Sequence, residues 1–97
     1  MIRTIQTEAV TEAVKRMCIE ANYQLSRDME ERLHSAAQEE ESPLGRKILV
    51  QLEENLQIAK NDRIPICQDT GMAVIFMDIG QDVHFSGGNL EEAVHEG

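Results

Sequence analysis

Cys67-Gln68-Asp69-Thr70-Gly71 brings together side chains that could do chemistry. Cys67 offers a soft thiolate, suited to iron–sulfur clusters or zinc. Gln68 adds an amide donor and acceptor, and Asp69 a carboxylate. Gly71 lets the backbone turn sharply or approach a ligand closely. Such a density of polar functions beside one glycine is high for a purely structural loop. A plainer reading stands next to it. A lone cysteine is commonly a small buried hydrophobe, and Asp-Thr-Gly is an ordinary turn sequence. Spacing alone leaves both readings open. Cys67 has no second cysteine nearby, so this chain does not hold a cluster or a zinc ion by itself.

The elements that must position this segment are legible in the apolar periodicity. Residues 4–22 have Val10, Ala13, Val14, Met17, Cys18 and Ala21 at helical spacing, with Thr4 as a candidate N-cap. A second helix is expected over about 27–40 behind Ser26, with Met29, Leu33, Ala36 and Ala37 as its weak stripe. Glu39-Glu40-Glu41 places negative charge at its C-terminal end, where the macrodipole disfavours it, so fraying is expected there. Ser42-Pro43 is a strong start signal for a third helix over about 43–60, with Leu44, Ile48, Leu49, Leu52, Leu56 and Ala59 facing inward and Lys60 in the last turn. Asn61-Asp62 and Pro65 then break the period.

Beyond the loop, Met72-Ala73-Val74-Ile75-Phe76-Met77 is a continuous apolar run that reads as a strand buried on both faces. Val83-His84-Phe85 reads as a second short strand. Asn89 with Glu92 three residues on is a capping-box variant that opens a further helix. The expected fold class is α+β, with about three N-terminal helices, a loop, a buried strand and the start of another helix. Residues 1–61 form the helical part and 62–97 the strand-containing part. A short final helix and a strand without partners suit the front part of a larger α/β domain.

Composition narrows the function. The chain has 97 residues, a net charge of −9 and 3% aromatic residues. So acidic a balance argues against a nucleic-acid or anionic-membrane surface, both of which need a positive patch. It also argues against a complete site for an acidic substrate, whose cationic clamps must come from elsewhere. The two cysteines, Cys18 and Cys67, are too few for a disulfide framework. No secretory signal or membrane-length apolar stretch is present, and a reduced cytoplasmic protein is expected. His34, His84 and His95 read as solvated side chains, and Met17, Met29, Met72 and Met77 as packing rather than ligands.

The stretch Ile64-Pro65-Ile66-Cys67-Gln68-Asp69-Thr70-Gly71-Met72-Ala73-Val74 closely resembles the cluster-binding motif of class I fumarases and the related L-tartrate dehydratases. Ser42-Pro43-Leu44-Gly45-Arg46 with Glu54-Asn55 resembles the family's preceding helix. Ile79-Gly80-Gln81-Asp82-Val83 and Gly87-Gly88-Asn89-Leu90-Glu91-Glu92-Ala93 resemble its following strand and helix. The resemblance covers residues 42–97 strongly, and residues 1–41 mainly in helical character.

It implies a 4Fe–4S cluster held by three cysteines, with Cys67 as one ligand and the other two in segments this chain lacks. It also implies that Gln68 and Asp69 contact a dicarboxylate or hydroxy-dicarboxylate substrate, and that Asp69 takes part in proton transfer near the leaving hydroxyl. Thr70 would brace the loop. The implied activity is a hydro-lyase interconverting fumarate and L-malate, with L-tartrate dehydration as the same-family alternative. The implied partners are the remaining α segment and a β subunit or domain in an oligomer. On that reading the 97-residue chain alone is inactive and binds no stable cluster, and the base for the C–H proton lies outside it. The alternative of another class is a small acidic helical interaction module in which Cys67 does no chemistry.

Overall fold

A computed structural model describes residues 1–69 and 71–97. The described elements are two strands and four helices, an α+β chain, in two compact units: Met1–Ile19 with Gly71–Gly97, and Glu20–Thr70.

The first unit is organised by strand β1, Arg3–Gln6, which pairs in parallel with β2, Val83–Ser86, Arg3 lying opposite Val83 and Gln6 opposite Ser86. Arg3 N–H donates to Asp82 O at 2.8 Å, extending the ladder by one bond. Helix α1, Thr7–Tyr23, starts directly after β1. The helix expected from residue 4 therefore begins at Thr7, and Thr4 is a strand residue rather than a cap. Arg3-Thr4-Ile5-Gln6 is too short for its period to be told from a helix start, and the partner that makes it a strand lies far along the chain. Val14 of α1 is buried, and Cys18 is half-buried on the same helix. Helix α4, Leu90–Glu96, is capped as its sequence predicts, Asn89 Oδ1 accepting from Glu92 N–H at 3.1 Å. The α4 backbone is tied to α1 by the Thr11 hydroxyl, which donates to Ala93 O at 2.8 Å. Ala93 is buried, and a Cβ on Gly97 would come within 2.7 Å of Thr11 O, so a side chain there would force the two apart.

Met72–Met77 departs from expectation. No strand forms over 71–82 among the described residues, and the apolar run stays exposed, Met72 at 86% and Phe76 at 93%. A strand buried on both faces needs neighbours on both sides, and the described elements supply none for this segment. Met17, Met29, Met72 and Met77, read as packing residues, are likewise exposed.

In the second unit α2, Arg27–Glu39, packs on α3, Pro43–Asp62. Ser26 occupies the N-cap position of α2, but its side chain caps no helix N–H. It hydrogen-bonds Asp28 instead, and that bond, helped by the Asp28 and Met29 backbone N–H groups, holds the Asp28 carboxyl below its ordinary value. The acidic end of α2 is offset by a cation the charge pattern hides: Arg46 donates through Nε at 3.2 Å and Nη2 at 2.8 Å to Glu40 O. Ser42 caps α3 as expected, accepting from Gly45 N–H at 3.2 Å, with Pro43 at the first helical position.

Ala37, Leu56 and Ala59 are the buried residues of this hairpin. Leu44, Ile48 and Leu52, expected on the same inward stripe, are exposed, because α3 carries a longer apolar face than α2 covers. Leu56→Ala in this chain is expected to cost about 2–3 kcal/mol, the lower part of the usual range because the site is small and close to solvent. Leu44→Ala at 68% exposure should change little. Urea titration of both variants checks this, as a lower midpoint at unchanged slope for the first alone.

Candidate functional site

The loop carrying Cys67 begins where α3 ends. Arg63 terminates the helix in the left-handed conformation, φ 54° and ψ 48°, and its N–H donates to Ala59 O. That geometry normally selects glycine, and the Arg63 guanidinium is held 5.0 Å over the Tyr23 ring. Ile64 N–H also returns to Ala59 O, at 3.2 Å. The chain thus leaves the helix on a fixed course rather than fraying.

Two residues on, Ile66 is fixed on both of its peptide groups. Its N–H donates to Asn22 O at the end of α1, at 2.8 Å. Its carbonyl accepts from Asn55 Nδ2 of α3, also at 2.8 Å. Cys67 follows at once, exposed, with its Sγ 3.7 Å from Asp69 O, a weak thiol contact inside the loop. Gln68 and Asp69 are exposed in the same bend. The three side chains are therefore all accessible on a short stretch whose root is anchored. Thr70, expected to brace the loop, lies outside the described residues. Gly71 adopts φ +51°, a left-handed backbone that glycine takes at little cost.

No group of three or more His, Cys, Asp or Glu side chains converges among the described residues. Cys67 is an accessible soft donor and fits a cluster as one ligand, with the remaining donors supplied from outside this chain. Cys18, on helix α1, is half-buried, as a packing cysteine would be. His84 and His95 are exposed. His34 is exposed too, 3.3 Å from Glu53 across the α2–α3 hairpin and 3.0 Å from Gln38 one turn on along α2. Arg63, which could have lent positive charge to the motif, is engaged with Tyr23.

Periodicity missed Asn55. An amide side chain in a helix interior competes with the backbone and is a poor helix former, and that mismatch on α3 was the available signal. The Asn22 carbonyl could not be foreseen, because it acts through the backbone at a helix end.

A family model described as Fumarate hydratase (Fumerase) matches residues 11–97. A protein of Methanocaldococcus jannaschii with the provisional name L(+)-tartrate dehydratase subunit alpha is 31% identical over 77 residues, covering 79% of this chain and 27% of its own length. The chain thus spans about a quarter of that curated relative. No solved structure matches. No described helix is long and apolar enough to cross a membrane.

Proposed function

The chain belongs to the fumarate hydratase (Fumerase) family, a family of hydro-lyases, and on that footing we propose that it contributes one corner of a hydro-lyase active site acting on a hydroxy-dicarboxylate. The observation that carries the reading is the exposed trio Cys67-Gln68-Asp69 on an anchored loop.

In this reading Cys67 is one ligand of a 4Fe–4S cluster whose other two protein ligands come from other segments. When bound, such a cluster supplies an open iron as Lewis acid toward the substrate hydroxyl and carboxylate. The work of this chain's own residues follows from their chemistry. The Gln68 amide donates a hydrogen bond to a substrate carboxylate and fixes its orientation. The Asp69 carboxyl holds a proton beside the departing hydroxyl, so that C–O cleavage releases water; in hydration it takes that proton back. The C–H proton goes to a base outside the chain, since no His or Lys of this sequence is a persuasive candidate for it. The net charge of −9 gives the same division of labour, with the cations that hold a dianionic substrate coming from partner segments or a β subunit.

Fumarate and L-malate are the preferred pair, on the likeness of Pro65-Ile66-Cys67 and Gly80-Gln81-Asp82-Val83 to the fumarase branch. The name of the archaeal relative favours L-tartrate as the second reading. Turnover of malate and tartrate by the anaerobically purified full protein, with its iron and sulfide content, decides between them. Iron-dependent malate dehydration is the expected result, tartrate as the sole substrate would favour the second reading, and absence of iron would overturn both.

A further inference from the structure

We infer that Asn55 is the positioning residue for Cys67, acting through the Ile66 carbonyl; this rests on Cys67 being a cluster ligand. Asn55 Nδ2 donates to Ile66 O at 2.8 Å, across eleven residues of sequence. A peptide unit is planar, so the Ile66 carbonyl and the Cys67 N and Cα move as one body. Holding that carbonyl fixes where Cys67 Cα sits and how its peptide plane is tilted. The preceding plane is fixed as well, by the Ile66 N–H on Asn22 O at 2.8 Å. Between the anchor and Sγ only Cys67 φ and χ1 remain free.

Asn55 is an unfavourable choice for a helix interior unless its side chain has a task, and the described task is this one bond. The bond is exposed to solvent, so it adds little to global stability. Its effect is local, on the orientation of the residue that follows. Hydrogen-bond partners that orient metal ligands typically change metal retention by roughly 10- to 100-fold when removed.

The test uses the full protein with Asn55→Ala, Asn55→Asp, which keeps the shape but loses the donor, and Asn55→Gln, which keeps an amide. Amide hydrogen exchange and the iodoacetamide alkylation rate of Cys67 are read on the iron-free protein, and iron release to a chelator on the loaded protein. The expected result is faster exchange confined to Ile66, altered Cys67 alkylation, and iron release accelerated roughly 10- to 100-fold for the Ala and Asp variants, with partial recovery for Gln. Exchange at the wild-type rate at the Ile66 amide overturns the inference. So does faster exchange spread along α3, which would mark a merely structural residue. Cys67→Ala keeps this separable from the ligand reading. If Cys67→Ala loses iron while Asn55→Ala does not, positioning fails and the ligand reading stands. If Cys67→Ala keeps its iron while Asn55→Ala still frees the Ile66 amide, the ligand reading fails and the anchoring of Cys67 stands.

Discussion

Cys67→Ala in the full protein is expected to abolish iron retention and to lower kcat by at least about 10³-fold. Lewis-acid assistance to a leaving hydroxide is worth several kcal/mol, and each 1.36 kcal/mol corresponds to about a tenfold change in rate. The position is suited to the loss: the thiol is exposed on an anchored loop, so its removal leaves no cavity and disturbs no described core contact. Iron analysis, the visible absorption of the cluster and malate turnover check the result together. Cys18→Ala is the internal comparison. Cys18 is half-buried on α1, so its truncation should lower stability modestly and leave iron content unchanged. Full iron and full turnover in Cys67→Ala would end the cluster reading.

Asp69→Asn separates the ligand from the proton carrier. Asparagine keeps the shape and hydrogen-bonding capacity of the side chain but cannot hold or give up the proton. The expected outcome is normal iron content with kcat reduced roughly 10²- to 10⁴-fold, the usual contribution of a placed acid or base. Steady-state kinetics at saturating substrate make the measurement. A rise in KM with unchanged kcat would assign Asp69 to substrate binding alone.

Where a local signal governs a local structure, the sequence was informative. Ser42-Pro43 marks the start of α3, and Asn89 with Glu92 marks the start of α4, because caps satisfy backbone groups within three residues. The motif loop between α3 and the apolar run was legible for the same reason: Pro65 and Asn61-Asp62 break the helical period. What stayed hidden depends on distant partners. Arg3–Gln6 becomes a strand through Val83–Ser86. The acidic end of α2 is kept in order by Arg46. Met72–Met77 misled in the opposite direction, since its composition fits a central strand while the described elements offer no neighbours to make it one. In the candidate site, residue types announced the donors, but the anchoring of Ile66 by Asn55 and Asn22 is a matter of geometry that no spacing rule contains.

The pairing of β1 with β2 has a consequence for the order of events during synthesis. One partner strand is made before the Glu20–Thr70 unit, and the other only after that whole unit has emerged. The hairpin of α2 and α3 rests on nearby contacts and can form early, whereas the parallel sheet must await closure across that whole unit. During that interval β1 exposes an unpaired edge. A nascent chain stalled within the Cys67 loop would therefore hold a formed helical hairpin and an unsatisfied first strand, a natural target for a holding chaperone.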